Sequence, residues 1–189
     1  MNGMSLGLEE ALRLTLQAIK PLSTETVTLL DSVDRIAASD LYALVDSPST
    51  DASLKDGYAV LSREVALASD DNPVRLRCLG SIAAGEEKDI KVRPGEAVKV
   101  LTGAHIPTGA DAVVSEEFVK HEGSDVLVGI FAEPGRNILP QGSDVALGKC
   151  VLHAGQRISP GNAGLLAGAG HSMIPVVRNP VAGIVGTGD

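Results

Sequence analysis

Two polar segments that contain glycine hold the residues of this chain best suited to chemistry. The first is SPSTDASLKDGYAV at residues 47–60, and the second is LTGAHIPTGADAVV at residues 101–114. Each places a carboxylate or a hydroxyl beside a glycine, where the backbone can turn tightly, and each adjoins a short apolar run typical of a strand. The pattern therefore predicts a polar site on the loops of a β-rich domain.

The first candidate group is the carboxylate of Asp56, which precedes Gly57 and a predicted strand. Asp-Gly is also a favoured hairpin turn, so the pair alone indicates a turn more strongly than a site. Asp51, Ser53 and Lys55 lie in the same loop, however, and a turn does not need this many polar groups. Lys55 and Asp56 also fit a solvated ion pair of little energetic consequence.

The second candidate group is the loop that contains Thr102 and Gly103 and continues to Thr108 and Gly109. Backbone N–H groups in such turns can form a concave anion site, to which a threonine hydroxyl adds a donor. The segment matches neither a Walker A loop nor the GxGxxG fingerprint, so this signal alone is weak. Asp144 is a further loop carboxylate, and carboxylates that converge on one pocket can hold Mg²⁺ through their oxygen atoms.

Composition and charge exclude several classes of function. The 189 residues have a net charge of −8, no Lys/Arg cluster and only 2% aromatic residues, which together argue against nucleic-acid binding. No apolar run approaches the length of about 18 residues that a transmembrane helix needs. The N-terminus lacks the features of a secretory signal, so we expect a cytoplasmic protein that does not enter the membrane.

The cysteines and histidines do not predict a metal centre. Cys78 and Cys150 are far apart and have no CxxC spacing, so we expect reduced thiols that act as small apolar filler. The four histidines show neither H-x-x-x-H nor HExxH spacing, and neither a zinc site nor a nucleophilic triad is predicted.

The elements that would position these loops begin with helices. Apolar residues at helical spacing predict an amphipathic helix over residues 5–20, capped by Ser5 and ended by Pro21, and a short second helix over residues 31–39. From residue 47, strand-like runs alternate with turn residues for about a hundred residues, which predicts an antiparallel barrel or sandwich.

The rest of the chain predicts a β-rich α+β fold with an insertion. In order, the pattern predicts a hairpin at 148–158, a helix that Ser159-Pro160 opens and Gly170 ends, and strands at 174–177 and 181–185. The simplest architecture is a helix/strand domain of residues 1–46 and 146–180 into which a β domain of residues 47–145 is inserted. The last strand-like run comes just before Asp189, so we expect the chain to end within an element.

Six segments spread along the chain form a specific pattern in combination. They are RIAASDLYA, SLKDGYAV, GSIAAGE, RPGEAVKVLTGAHIPTGADAVV, EPGRNILPQGSDV and RNPVAGIVGTGD. Taken in order, they closely resemble the N-terminal half of the MoeA/gephyrin E-domain family, the molybdopterin molybdenumtransferases. The resemblance extends from residue 6 to residue 189, and the combination is far more specific than any single motif.

The resemblance implies an elongated homodimer in which a helix/strand domain carries an inserted β-barrel domain. It also implies that residues 181–189 are the first strand of a truncated α/β domain that binds molybdopterin. Enzymes of this family take adenylylated molybdopterin and molybdate with Mg²⁺, release AMP and place molybdenum on the dithiolene. The expected function is therefore that of the N-terminal part of such a transferase, in molybdenum cofactor biosynthesis.

Site residues are carried over by position. The resemblance implies catalytic roles for Asp56, Thr102 and Asp144, with Asp56 and Asp144 as Mg²⁺ ligands. It implies substrate-binding roles for Ser53, Gly103 and Asp189. Carboxylates can position Mg²⁺ and a polarised water near a phosphoanhydride, while N–H and hydroxyl donors stabilise developing negative charge.

Departures from the family's pattern keep other functions open. Leu139-Pro140-Gln141 replaces the usual basic run, and Ser143 the usual glutamate, which should weaken the hold on an anionic ligand. Measured against the family's pattern, we expect the 189 residues to lack the α/β domain, and hence to supply half of an active cleft and no turnover in isolation. The alternatives are a non-catalytic, gephyrin-like scaffold or binding module, and a β-rich domain in which the Asp-Gly and Thr-Gly pairs are only turns.

Overall fold

The computed structural model of the protein describes residues 7–184 and Gly186. These residues form two helices, α1 (Leu8–Ala18) and α2 (Pro160–Gly168). They also form twelve strands: β1 Thr24–Thr28, β2 Leu41–Tyr42, β3 Ala52–Ser53, β4 Gly57–Val60, β5 Val74–Ile82, β6 Glu96–Val100, β7 Ala112–Ser115, β8 Val119–Glu122, β9 Asp125–Val128, β10 Ile138–Leu139, β11 Cys150–Leu152 and β12 Met173–Val177. The fold is thus β-rich α+β, as the sequence predicts. Neither helix has the length and apolar composition that a bilayer crossing requires, within the part of the chain described.

The backbone divides into two units. The first comprises Met1–Tyr42 and Cys150–Asp189, and the second is the continuous segment Ala43–Lys149. The boundaries predicted from the sequence, at residues 47 and 145, each lie four residues inside the observed segment.

The first unit is built from two strand pairs and α2. Strands β1 and β12 pair antiparallel, and β2 pairs with β11. Helix α2 begins as predicted at Ser159-Pro160: the Ser159 Oγ accepts the Asn162 N–H at 3.1 Å, and the Asn162 Oδ1 accepts the Ser159 N–H at 3.1 Å. Leu166 of α2 and Ile174 of β12 are fully buried, so the helix and this sheet share one core.

Helix α1 forms where the sequence predicts a helix, but its apolar face is uncovered. None of its residues is buried within the described part of the chain, and Leu8 is 86% exposed. Its N-cap is Gly7, which makes no side-chain hydrogen bond; the predicted cap, Ser5, lies outside the described residues. Amphipathic spacing therefore predicted the helix correctly without identifying what its apolar side contacts.

The predicted helix over residues 31–39 is wrong. A 3-10 turn spans only Leu30–Ser32, and Asp34 has a φ of +67°, which an α-helix does not allow. Beyond it, the Ala37 N–H donates to the carbonyl of Gln156 at 2.9 Å, so long-range backbone pairing replaces helical hydrogen bonds. Weak helix propensity cannot compete with that pairing.

Two other sequence predictions differ from the structure in the first unit. The arms of the predicted hairpin 148–158 pair with the N-terminal chain rather than with each other, through β2–β11 and the bridge between Ile36 and Arg157. The predicted strand at 181–185 is not formed over residues 181–184, where Val181 and Ile184 are exposed and no described strand pairs with them. Val185 lies outside the described residues.

The second unit is organised by a six-stranded sheet in the order β7-β4-β6-β5-β9-β8, which curls into a half-barrel. Its neighbouring strands are antiparallel except for β5 and β6, which are parallel and so depart from the predicted antiparallel arrangement. Apolar clusters lie on both faces: Tyr58 and Val60 of β4 belong to one cluster, and Ala59 to the other. Burial on both faces explains why these strands read as continuous apolar runs.

Candidate functional site

The loop between β3 and β4 is shaped by a buried serine and a required glycine. Ser53 is only 2% exposed, and its Oγ donates to the carbonyl of Lys55 at 2.6 Å and accepts the Lys55 N–H at 3.3 Å. A Cβ on Gly57 would lie 2.1 Å from the carbonyl oxygen of Val114 in β7. The loop therefore places Asp56 at the start of β4, where only glycine can follow it without moving the neighbouring strand.

The carboxylate of Asp56 is bound on one side by Thr102. Its Oδ1 accepts both the N–H and the Oγ1–H of Thr102, each at 2.7 Å. The backbone hydrogen bond first, then the hydroxyl and the positive charge of Lys99, hold the pKa of Asp56 below its usual range. No described residue forms a hydrogen bond with Oδ2, so this exposed residue offers an ionised carboxylate with one unshared oxygen.

The donors of the Thr102-Gly103 loop are used inside the protein. The Gly103 N–H donates to the carbonyl of Ser53 at 2.8 Å, and the Ala104 N–H to that of Leu101 at 2.9 Å. With the Thr102 donors on Asp56, three successive N–H groups and the hydroxyl are already paired. These donors are therefore not available for a concave anion site at this turn, and the loop instead holds the Asp56 segment in place.

Lys99 and Glu116 lie beside Asp56, and neither was predicted from the sequence as a site residue. Lys99 lies in β6 opposite Tyr58 of β4, and its Nζ is 2.7 Å from the Glu116 Oε1. That hydrogen bond raises the pKa of Lys99, and the negative charge of Asp56 acts in the same direction. The sequence signal that could have identified Lys99 is its position as a lone lysine within the apolar run AVKVL.

Asp144 is held by a different set of contacts from Asp56. Its N–H donates to the carbonyl of Ser47 at 3.0 Å, and three residues earlier the Gln141 N–H donates to the Asp51 Oδ1 at 2.8 Å. Strands β3 and β10 form a short antiparallel pair. The chain therefore continues from β3 to Asp56 at one end of this pair, and from β10 to Asp144 at the other end.

The structure therefore joins some of the predicted site residues by hydrogen bonds and not others. Asp56 with Thr102, and Ser53 with Gly103, are joined by hydrogen bonds. Among the described residues, no hydrogen bond joins Asp144 to any of these four, and neither carboxylate belongs to a group of three potential ligands close enough to share one ion. The predicted Asp189 lies outside the described residues.

A cleft of about 640 Å³ borders the same loop. Gly103 and His105 line one part of it, and residues 85–90 line another. Glu86, Glu87 and Asp89 give this lining more negative than positive charge. An anionic ligand in the cleft would therefore need a cation as counter-charge.

Comparison with known proteins decides the family. Residues 6–170 match the family model of the MoeA N-terminal region (domain I and II). The chain belongs to this family. The resemblance inferred from the sequence motifs is thereby confirmed.

Relatives of the chain within the MoeA family bear a consistent name. A protein named molybdopterin molybdenumtransferase from Bacillus subtilis (strain 168) is 39% identical over 184 residues, which cover 95% of this chain and 43% of the relative. A protein of the same name from Synechococcus elongatus is 39% identical over 188 residues, which cover 98% of this chain and 47% of the relative. The crystal structure of a molybdopterin biosynthesis MoeA protein from Pyrococcus horikoshii OT3 superposes with a TM-score of 0.83 at 37% identity, covering 91% of this chain and 46% of that one. The chain thus spans about half the length of the curated relatives it matches.

Proposed function

We propose that the chain forms the N-terminal part of a molybdopterin molybdenumtransferase, which places molybdenum from molybdate into adenylylated molybdopterin and releases AMP in molybdenum cofactor biosynthesis. The observation that carries the proposal is the Asp56–Thr102 pair, an ionised and oriented carboxylate on exposed loops of a chain whose relatives bear that name. If Asp56 only formed a turn with Gly57 or an ion pair with Lys55, its Oδ1 would not need to accept two hydrogen bonds from Thr102.

Asp56 acts in this proposal as an electrostatic ligand rather than as a proton acceptor. A general base works best when its pKa is near the working pH, whereas the pKa of Asp56 is lowered by its hydrogen bonds to Thr102. Thr102 fixes the orientation of the carboxylate through Oδ1, which leaves Oδ2 for a ligand. The role of Thr102 is thus to position Asp56.

Asp56 fits Mg²⁺ as a single carboxylate ligand. Mg²⁺ prefers oxygen ligands, keeps several of its waters and commonly binds through one or two carboxylates, a requirement that the unshared Oδ2 meets. When bound, the ion would supply counter-charge to phosphate oxygens. Asp144, whose side chain forms no hydrogen bond with the described residues, is the second Mg²⁺ ligand of the proposal.

The proposed assembly is a homodimer. Its support is α1 and its C-cap, where large apolar residues are uncovered: Leu8, Leu12, Leu16 and Ile19 are all exposed. A contiguous apolar surface of this kind often marks an interface. The proposed compartment is the cytoplasm, where thiols such as the free Cys78 and Cys150 stay reduced.

Complementation by a chimera tests the proposed function. In the chimera, residues 6–170 of this chain replace the matching region of the Bacillus subtilis relative, and the gene is placed in a strain that lacks its own transferase. We expect the chimera to restore the activity of a molybdenum-dependent enzyme. The Asp56→Asn variant should fail, while Asp71→Asn, at an exposed loop carboxylate, should succeed. We expect the 189 residues alone to fail, because their match covers only 43% of the relative's length.

A chimera that folds and accumulates normally but restores nothing would contradict the proposal. That outcome would favour the alternative of a non-catalytic scaffold or binding module, for which the loss of the basic run at Leu139-Pro140-Gln141 is the supporting observation.

A further inference from the structure

Three side chains with metal-binding atoms meet in the first unit, whereas Asp56 and its loops belong to the second. Asp40 precedes β2, Cys150 is the first residue of β11, and His153 lies in the turn that follows β11. The antiparallel pairing of Cys150 with Tyr42 brings Asp40, which lies 110 residues before Cys150 in the sequence, beside Cys150 and His153. One ligand atom from each lies within 4.8 Å of those of the other two.

Two of the three separations between these atoms are close to those of a tetrahedral zinc site, and the third, between sulfur and carboxylate oxygen, is within 4.8 Å. The Cys150 Sγ is 3.6 Å from the His153 Nδ1, and this nitrogen is 3.5 Å from the Asp40 Oδ1. Bond lengths of about 2.3 Å for Zn–S and about 2.0 Å for Zn–N and Zn–O, at tetrahedral angles, place S and N about 3.5 Å apart and N and O about 3.3 Å apart. Binding therefore requires only small rotations of these side chains.

The backbone around the three residues is already ordered for this purpose. The Asp40 Oδ1 accepts the Ala154 N–H at 2.8 Å, and the His153 N–H donates to the Gln156 Oε1 at 2.9 Å. Such contacts orient ligands at metal sites and reduce the cost of assembling them. His153 and Asp40 are also 69% and 42% exposed, so an ion can reach them directly from solution.

We infer that Asp40, Cys150 and His153 form a Zn²⁺-binding site with a fourth position open to water. The combination of thiolate, imidazole and carboxylate suits Zn²⁺ and does not suit Mg²⁺ or Ca²⁺, which take oxygen ligands. On binding, the Cys150 S–H bond breaks, the sulfur electron pair forms the bond to zinc, and the proton passes to the buffer. The inference does not depend on the function proposed for the Asp56 loops.

Cobalt titration of the full 189-residue chain tests the site. The reduced protein, without an affinity tag and after treatment with a chelator, is titrated with Co²⁺, and the thiolate-to-cobalt charge-transfer band is followed before and after addition of Zn²⁺. We expect one equivalent of Co²⁺ to give the band and Zn²⁺ to displace it. Cys150→Ser should abolish the band, and His153→Ala should weaken Co²⁺ binding at least about tenfold. Cys78→Ser, at the free cysteine of β5, is the matched control and should behave like the wild type.

Alkylation of the unmodified chain provides a test that needs no variant. Zn²⁺ should slow the reaction of Cys150 with iodoacetamide at least about tenfold and leave the rate at Cys78 unchanged, as followed by mass spectrometry of the peptides. The inference is overturned if no charge-transfer band appears, if the band survives Cys150→Ser, or if Zn²⁺ leaves the alkylation of Cys150 unchanged.

Discussion

Asp56 is held mainly by one neighbouring residue, since both the N–H and the Oγ1–H of Thr102 donate to the same carboxylate oxygen. Both donors favour the ionised form, which is why the pKa of Asp56 is lowered in the folded protein. A lowered folded-state pKa contributes stability that is present above the pKa of the unfolded chain. That contribution is lost as the pH falls through the folded-state pKa.

Removing the hydroxyl donor should raise the pKa of Asp56 towards its usual range. Thr102→Val deletes the Oγ1–H but keeps the backbone N–H, so the shift should be partly reversed. Carbon-13 NMR titration of the Asp56 carboxyl measures the pKa, with Asp71 as the internal reference. An unchanged pKa in the variant would show that the hydroxyl does not stabilise the carboxylate.

Adding one methyl group at Gly57 should disrupt the start of β4. The Cβ of Gly57→Ala would lie 2.1 Å from the carbonyl oxygen of Val114, so β4 and β7 would have to separate. We expect the free energy of unfolding to fall by about 3 kcal/mol in urea denaturation. Gly164→Ala is the control: outside the backbone of its own helix and its chain neighbours, no described atom lies within 4 Å of the added Cβ, and a gain of about 0.5 kcal/mol is expected. Equal stability of Gly57→Ala and the wild type would contradict the close approach of the two strands.

Elements could be predicted from the sequence where local pattern decides them. Strand β5 was predicted from a short strand-like run between turn residues, and helix α2 from its Ser-Pro start and the glycine after its end. These signals lie within a few residues of the element that they predict. The failed helix at 31–39 and the failed hairpin at 148–158 have a common cause, since both segments pair with each other across more than a hundred residues. Local pattern carries no information about such pairing.

The start of α2 offers a quantitative test at this scale. Ser159→Ala removes the side-chain acceptor for the Asn162 N–H and breaks the reciprocal cap. The free energy of unfolding should fall by about 1 kcal/mol. Ser172→Ala, at an exposed serine whose side chain bonds to no described residue, should change it little. A loss of equal size in both variants would mean that the cap has no specific role.

Across the whole molecule, the second unit has the features of an insertion. Its ends are adjacent, since the Ala43 N–H donates to the Lys149 carbonyl and the Gly148 N–H to the Ala43 carbonyl, each at 2.8 Å. Asp56 and Thr102 were each identified from sequence as candidates, but their contact depends on this unit's sheet joining β4 to β6. The cluster of Asp40, Cys150 and His153 was missed because Asp40 joins the other two only through the β2–β11 pairing.

The segment 43–149 should fold by itself, because it contains two apolar clusters of its own and its ends already meet. Expressed alone, it should unfold cooperatively in urea and keep the lowered pKa of Asp56 in an NMR titration. A broad, non-cooperative transition would show that the unit depends on the rest of the chain.

AMP release from adenylylated molybdopterin is the most direct test of the proposed role of Asp56. The enzyme is the chimera with the Bacillus subtilis relative, assayed with molybdate and Mg²⁺ beside its Asp56→Asn and Asp71→Asn variants. We predict AMP release that falls about 100-fold in Asp56→Asn and is unchanged in Asp71→Asn. Release at the same rate from the chimera and its Asp56→Asn variant would contradict the account.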